Sequence, residues 1–300
     1  MRYGNWLGKN TESLVGKTVA ISGSTGGLGR HLSRYIAALG ADIVLLDRNR
    51  ERSEANKLAL EAEFPGVRVS LLRLDLVDVI SVKEATAQLK DIAPDIFIHN
   101  AGAYSIPRCT SNSGYDNVFT INFASPYYMI RELLPVLSAK GGRVVAVGSI
   151  AHNYSKINEC DIDFASQKRA SKVYGNAKRY LMFSLYELFK HECGASLSVV
   201  HPGITFTNIT AHYPKLIFAL IKHPMKVIFM PAEKAALSIV KGFFSSTEYH
   251  TWYGPRLFNV WGLPSKKMLK TCSPNESIRI GEIAEEVYQK VKEKISSAAN

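Results

Sequence analysis

Residues 17–29 read K-T-V-A-I-S-G-S-T-G-G-L-G. The first six residues are mostly apolar or β-branched and predict a strand, whereas the amphipathic segment 30–39, ended by Gly40, predicts a helix. A glycine-rich turn between a strand and a helix is typical of a phosphate-binding unit, because the helix N-terminus offers free N–H groups and a partial positive charge. The stretch therefore predicts the start of a phosphate-binding α/β sheet.

Three glycines of this turn have distinct expected roles. Gly23 allows the tight turn, Gly27 lets the backbone approach a pyrophosphate, and Gly29 permits close packing of the helix. Their spacing differs from the G-x-G-x-x-G form, so a loop that merely needs a positive φ is an open alternative.

The alternation of strand and helix continues along the chain. The elements predicted next are strand 42–47, helix 50–63, strand 67–74, helix 79–91 and strand 95–99. Helices are also predicted over 115–139 and 231–245, and further strands end at Ser149 and at residue 201. Repeated βαβ units predict an α/β fold with a single doubly wound parallel sheet of the Rossmann type.

The whole chain, 1–300, is expected to form one domain, because no linker or internal repeat marks a second one. Residues 203–230 interrupt the alternation with bulky apolar side chains and two prolines, and predict a helical substrate lid over the site. A pair of helices that completes the core is the alternative. The residues S-P-N-E at 273–276 have the form of a capping box and predict a C-terminal helix over 274–298 that packs through its apolar stripe.

The balance of 37 Lys and Arg against 26 Asp and Glu gives a net charge of +11, which suits an anionic ligand, an anionic membrane surface or a nucleic acid. The basic residues are dispersed without a recognition-helix pattern, so no nucleic-acid partner is expected. Four widely spaced cysteines predict a reduced, cytoplasmic chain without a metal site. The basic, apolar segment 211–230 is too interrupted to span a bilayer, and peripheral membrane contact through it is a further hypothesis.

Asp47 ends the second predicted strand, 18 residues beyond Gly29. A carboxylate there can accept hydrogen bonds from a ribose 2′-OH, which favours NAD. Arg48 follows directly and could instead contact a 2′-phosphate or stack on adenine, so NADP is not excluded. A solvated turn residue is the other interpretation of Arg48.

Residues 173–181 read V-Y-G-N-A-K-R-Y-L and place Tyr174 and Lys178 one helical turn apart on the same face. A phenol with a pKa of about 10 is a poor proton carrier at neutral pH, but a neighbouring ammonium favours the phenolate and lowers that pKa. Taken alone, the pair also fits a surface tyrosine beside a solvated lysine. A chemical role depends on the strand ends that precede it.

Those strand ends carry H-N-A-G at 99–102 and a serine at 149, in the same order along the chain as the glycine turn and Y-G-N-A-K. With all four in place, residues 14–250 resemble the short-chain dehydrogenase/reductase family. The spacing from Ser149 to Tyr174 is similar to that of the branch containing retinol dehydrogenases and WW-domain oxidoreductases.

The resemblance implies a role for each of the matching residues. Tyr174 would be the general acid/base, Lys178 would lower its pKa and hold the nicotinamide ribose, Ser149 would hydrogen-bond the substrate oxygen, and Asn122 would hold a water of the proton relay. The cofactor contacts expected in this way are Gly23, Ser24, Thr25, Gly27, Leu28, Gly29, Asp47, Arg48, Asp75, Leu76, Asn100, Ala101, Gly102, Tyr174, Lys178, Pro202, Gly203, Thr205 and Thr207.

Four residues depart from the family pattern. Ser22 replaces a threonine, His99 an asparagine, Gly148 a serine and Ala177 a serine. Each lies next to a residue with an expected role, and none removes a proposed catalytic group.

The function predicted in this way is NAD(P)-dependent interconversion of an alcohol and its carbonyl compound. The apolar content of 203–230 favours a hydrophobic substrate, such as a sterol, a retinoid-like or another lipid-derived alcohol. A catalytically quiet dinucleotide sensor or scaffold is the alternative. A homo-oligomer is expected.

Overall fold

In the computed structural model, which describes residues 3–191, 194–205 and 229–298, one eight-stranded sheet organises the fold. The strands lie side by side in the order β3-β2-β1-β4-β5-β6-β7-β8. The first seven run parallel, and β8 pairs antiparallel with β7. The strand bounds are β1 Thr18–Ser22, β2 Asp42–Asp47, β3 Val69–Arg73, β4 Ile96–His99, β5 Arg143–Val147, β6 Ser196–Val200, β7 Thr251–Leu257 and β8 Trp261–Met268.

Helices cover both faces of this sheet. They are α1 Gly4–Asn10, α2 Gly27–Ala38, α3 Arg50–Glu63, α4 Val79–Ile92, α5 Asn117–Phe119, α6 Ser125–Ala139, α7 Ala170–Phe189, α8 Ala232–Phe244 and α9 Pro274–Ser297. A π-helical turn spans Thr120–Ala124, and a 3-10 helix spans Ile150–Tyr154. Because side chains alternate along a strand, Val19 and Ile21 pack with α2 and α8, whereas Ala20 packs with the layer of α4, α6, α7 and α9. The predicted doubly wound sheet and the C-terminal helix are confirmed.

Two predicted helix boundaries are wrong. Helix α2 begins at Gly27 rather than at residue 30, so part of the glycine turn is already helical. The helix predicted over 115–139 is divided into α5, the π-helical turn and α6. Glycine has a low helix propensity and a π turn has no simple apolar period, so neither feature is visible in the sequence pattern.

The sequence pattern does not predict the hairpin of β7 and β8. Both strands contain residues that are rare in strands, and Pro255 lies opposite Pro264 in the register. Proline is tolerated here because the pair forms the edge of the sheet, where a missing N–H donor breaks few ladder bonds. Pro255 and Pro264, which would ordinarily indicate turns, therefore lie in the two strands of an edge hairpin.

The lid prediction falls mainly on residues 206–228, which lie outside the described residues, as does Cys193. The described cysteines, Cys109, Cys160 and Cys272, are free thiols. No helix in the described part of the chain is both long and apolar enough to cross a membrane. The assignment of the whole chain to one domain stays a prediction.

Arg179 fastens the C-terminal helix to α7. Its guanidinium, 1% exposed, donates to both carboxylate oxygens of Glu276 at 2.8 and 2.7 Å. It also donates to the carbonyls of His152 at 3.1 Å and Thr271 at 2.6 Å. Ser273 caps α9 as predicted, because its hydroxyl accepts from the backbone N–H of Glu276. A complete capping box would also direct the Glu276 side chain to the N–H of Ser273, but that carboxylate pairs with Arg179 instead, and one charged group joins three segments.

We expect Arg179→Met to lower the free energy of unfolding by about 3–5 kcal/mol, because it leaves a carboxylate and two carbonyls without their donor. Urea denaturation measures this loss. The matched control is Arg34→Met, which removes the pair that Arg34 forms with Glu63, both of them about two-fifths exposed. An exposed pair contributes roughly 1 kcal/mol or less. Equal losses in the two variants would contradict the role of Arg179.

Candidate active site

A cavity of about 670 Å³ opens at the carboxyl edge of the sheet, where the ends of β1, β4, β5 and β6 meet. Most of the predicted site residues line it. They are Gly23, Thr25, Gly27, Leu28, Gly29, Arg48, Asn100, Ala101, Gly102, Ser149, Tyr174, Lys178, Pro202, Gly203 and Thr205. The parallel topology therefore brings together residues that are up to 182 positions apart in the sequence, from Gly23 to Thr205.

Five predicted residues do not line this cavity. Ser24, Asp47 and Asn122 are buried beneath its wall, and Leu76 belongs to the hydrophobic core. Asp75 closes the turn after β3, because its carboxylate accepts from the backbone N–H of Val77 at 3.2 Å. The remaining predicted contact, Thr207, lies outside the described residues.

The glycine turn has the close packing that a phosphate cradle needs. A Cβ atom on Gly29 would lie 2.1 Å from the carbonyl oxygen of Gly23, so only glycine lets α2 start directly behind β1. Gly23 has a φ of +76°, and a Cβ there would meet Ala101 at 2.9 Å. The N-terminal turn of α2 thus faces the cavity through bare backbone, which fits a pyrophosphate.

Asp47 is held inside the chain rather than presented to the cavity. One carboxylate oxygen accepts from the hydroxyls of Ser24 at 2.5 Å and Ser53 at 3.0 Å. The other accepts from the backbone N–H of Thr25 at 3.2 Å and from its hydroxyl at 3.3 Å. A carboxylate has about four acceptor positions, and all of them are used here. Asp47 therefore fastens the glycine turn to the end of β2.

Ser149, Tyr174 and Lys178 form a cluster on the cavity wall. Ser149 follows β5 and caps the 3-10 helix, and its hydroxyl lies close enough to that of Tyr174 to act on the pKa of the phenol. The ammonium of Lys178 lies 5.8 Å from the centre of the Tyr174 ring and donates to the Val147 carbonyl at 2.9 Å. The α7 segment thus projects both side chains toward the end of β5.

The pKa of Tyr174 differs from the expectation. Burial raises it to about 12, although the hydrogen bond with Ser149 acts to lower it. Burial also lowers the pKa of Lys178 to about 7. Desolvation disfavours both charged forms, and the ammonium is bonded to a carbonyl rather than to the phenol. In the chain alone, the predicted lowering of the tyrosine pKa is therefore absent.

Asn122 supports the cavity floor from the π-helical turn. Its amide group donates to the carbonyls of Ala103 and Val118, both at 2.8 Å, and its oxygen accepts from the N–H of Ala103 at 3.3 Å. The side chain is fully engaged with backbone, so it fixes the loop after β4. A relay water at Asn122 stays a prediction.

Three of the four departures from the family pattern, Ser22, His99 and Gly148, have local explanations. The Ser22 hydroxyl accepts from the N–H groups of Asn100 and Ala101 and lies 3.2 Å from Nδ1 of His99. Ser22 and His99 therefore hold the loop after β4 together. At Gly148, a Cβ would lie 2.7 Å from the sulfur of Met182, so a serine would not fit without displacing that side chain.

Two aromatic residues of the cavity wall, Tyr104 and Tyr154, are not among the predicted site residues, whereas Phe229 belongs to the predicted lid. Tyr104 lies edge-on to Tyr174 with 5.4 Å between ring centres, and Tyr154 and Phe229 also line the cavity. Tyr104 and Tyr154 each follow a predicted strand end by a few residues. Their position just after strand ends, at the carboxyl edge of the sheet, could therefore have predicted that they line the cavity.

Residues 17–214 match the family described as short chain dehydrogenase. Human retinol dehydrogenase 13 is 28% identical over 206 residues, which are 67% of this chain and 62% of that protein. Human retinol dehydrogenase 14 is 29% identical over 245 residues, covering 75% of this chain and 73% of that protein. The match thus spans less than two thirds of the first of these relatives.

The fold is similar to that of an uncharacterized protein from Mycobacterium Paratuberculosis. The two chains share 21% identity and a TM-score of 0.72, and the alignment covers 95% of each chain. At this identity the likeness concerns the fold alone.

The buried amine of Lys178 should destabilise the fold at neutral pH. Between the lowered pKa of about 7 and the ordinary value of 10.5, the unfolded chain binds a proton that the folded chain does not. The free energy of unfolding should therefore rise with pH over this window by up to about 1.4 kcal/mol per pH unit. Lys178→Met should remove this slope, so its stability advantage is greatest near pH 7 and shrinks toward pH 10.

Urea denaturation at several pH values measures the effect. The control is Lys172→Met on the same helix, whose side chain is partly exposed and which should keep the wild-type slope. Parallel stability curves for Lys178→Met and wild type would show that the amine is not desolvated.

Proposed function

The chain belongs to the short-chain dehydrogenase family, and we propose that it interconverts an alcohol and its carbonyl compound with a nicotinamide dinucleotide as the hydride carrier. The proposal rests on one observation above all. The Ser149 and Tyr174 hydroxyls and the buried Lys178 amine meet on the wall of a cavity that also contains the glycine turn. The retinol dehydrogenase branch predicted from the sequence agrees with the relatives described above.

Each of the three side chains has a distinct proposed task. When bound, the dinucleotide supplies or accepts a hydride at its nicotinamide ring. Tyr174 gives a proton to the carbonyl oxygen in the reducing direction and takes the alcohol proton in the oxidising direction. Ser149 holds the substrate oxygen beside the phenol, and Lys178 stabilises the phenolate left after proton donation. A phenol with a pKa of about 12 keeps its proton at neutral pH, which suits the acid role.

The substrate proposed for this cavity is hydrophobic. Tyr104, Tyr154, Ile204 and Phe229 contribute apolar surface to the cavity that contains Tyr174. Ligand sites with this lining take an apolar body and orient it through a few polar groups. The names of the retinol dehydrogenase relatives agree with a lipid-derived alcohol as the substrate class.

The cofactor proposed from the geometry is NADP(H) rather than NAD(H). The preference for NAD predicted from the sequence required a free Asp47 carboxylate, but its four acceptor positions are taken within the chain. Arg48 is exposed and lines the cavity. A guanidinium pairs with a phosphate through two parallel hydrogen bonds, so Arg48 is the group expected to hold the 2′-phosphate.

The homo-oligomer, the cytoplasmic location and the membrane contact of segment 211–230 stay predictions. A dinucleotide sensor without turnover also stays the alternative function. Tight dinucleotide binding without turnover on any alcohol or ketone tested would favour the sensor.

Tyr174→Phe should lower turnover by on the order of a hundredfold or more, because it removes only the proton carrier. A panel of hydrophobic alcohols and ketones, followed by absorbance of the reduced nicotinamide, first identifies a substrate. Tyr180→Phe is the matched control on the same helix, since the buried Tyr180 hydroxyl has no hydrogen-bond partner among the described residues. Near-normal turnover of Tyr174→Phe, with dinucleotide affinity unchanged, would overturn the mechanism.

Arg48→Ala should weaken NADP(H) binding by about tenfold or more while changing NAD(H) binding much less, because a charge-assisted hydrogen bond contributes about 1.5–3 kcal/mol. Fluorescence titration with both dinucleotides measures the two affinities. Arg50→Ala is the control, because Arg50 is exposed and paired with Glu54. An equal loss for both dinucleotides would show that Arg48 stacks on the adenine instead.

A further inference from the structure

The tip of the β7–β8 hairpin exposes two large apolar side chains. Phe258 is 89% exposed and Leu257 is 53% exposed. They belong to the tight turn 257–260, which is closed by the hydrogen bond from the N–H of Val260 to the carbonyl of Leu257 at 2.9 Å. Packing against the described residues therefore does not explain why an aromatic residue occupies this turn.

The backbone of the turn makes the aromatic residue more unusual. Phe258 and Asn259 have φ values of +50° and +59°, and positive φ at both central positions is the signature of a type I′ turn. Asparagine and glycine are favoured there, whereas a bulky side chain in this region is strained. Asn259 follows the preference and Phe258 violates it. A residue that is both strained and exposed is better explained by a contact outside the chain than by folding.

The hairpin places this tip beside the cavity. Strand β7 runs parallel to β6, with Tyr253 opposite Val200, the last residue of β6. Leu257 is four residues further on, so the strand projects about 13 Å beyond the end of β6 on the edge that carries the cavity. The carbonyl of Val260 packs against Gly203, a residue of the cavity wall.

The charge around the tip is positive. Residues 251–270 contain Arg256, Lys266, Lys267 and Lys270 and no acidic residue. Lys267 donates to the carbonyls of Pro255 and Arg256, which holds its charge close to the turn. Arg256, next to Leu257, is exposed, whereas Lys266 lies opposite Tyr253 toward the base of the hairpin, where it pairs with Glu248, and Lys270 follows β8 at that base. An apolar tip flanked by cations is complementary to an anionic lipid surface.

We propose that the tip of the β7–β8 hairpin is a membrane contact, with Leu257 and Phe258 entering the interface of a bilayer that contains anionic lipid. The tip is narrow and convex, whereas a stable protein interface buries about 800 Å² on each partner. A bilayer accepts two protruding side chains without a shaped counterpart. The contact turns the cavity edge toward the bilayer, and it stands whether or not the chain catalyses the proposed reaction.

The test uses the full chain and vesicles of phosphatidylcholine with or without phosphatidylglycerol. Wild type should sediment with the anionic vesicles, and Phe258→Gly should reduce the bound fraction several-fold. Because glycine relieves the strained φ, Phe258→Gly should have an equal or higher Tm, which separates lost binding from lost folding. Asn259→Gly places a glycine at the neighbouring positive φ but leaves Phe258 in place, and should keep binding. Leu58→Ser, which removes an apolar residue 67% exposed on α3, should also bind like wild type.

Four results would overturn the proposal. Wild type could fail to sediment with anionic vesicles, or Phe258→Gly could sediment as wild type does. Phe258→Gly could instead lower the molar mass in solution, measured by light scattering, which would make the tip an interface between copies of the chain. Phe258→Trp gives a direct readout, since its emission should shift to the blue on vesicle binding, and an unchanged spectrum would also contradict insertion.

Discussion

The parallel register of four strands is the constraint on which the site depends. Ser22, His99, Ala146 and Val199 form one row across β1, β4, β5 and β6. Each strand ends within one residue of this row, so the loops that follow meet above a single level of the sheet. The hydrogen bonds between these strands thus bring together in one cavity the glycine turn, the loop after β4 and Ser149.

This arrangement places charged and polar groups where desolvation is costly. The Lys178 amine is buried against a carbonyl, and the Asp47 carboxylate is buried among hydroxyls. The two are satisfied differently. All acceptor positions of Asp47 are filled, so it secures the glycine turn, whereas Lys178 has one hydrogen-bond partner among the described residues and keeps donors for another group. A buried polar group with unused hydrogen-bonding positions is available to a ligand, whereas one with all positions used supports the fold.

Local patterns predicted the parts of the fold that local chemistry determines. Strand β2 and helix α3 have the bounds expected from apolar runs and caps, and the Ser273 cap is confirmed. The role of Asp47 could not be predicted, because its partners Ser24 and Ser53 come from two other segments. The pKa of Tyr174 depends on burial by residues distant in sequence. The β7–β8 hairpin could not be predicted, because prolines indicate turns everywhere except at the edge of a sheet.

The contact of Arg179 with His152 and Glu276 bears on how the chain is made. Arg179 lies 97 residues before Glu276, and His152 is three residues beyond Ser149. During synthesis from the N-terminus, the sheet as far as β6 can form while the C-terminal helix is still inside the ribosomal exit tunnel or not yet synthesised. Arg179, which donates to the carbonyl of His152, gains its second anchor, the Glu276 carboxylate, only when that helix emerges. A chain halted before residue 276 would therefore hold the cavity residues in place without the fastening that secures the loop beside Ser149.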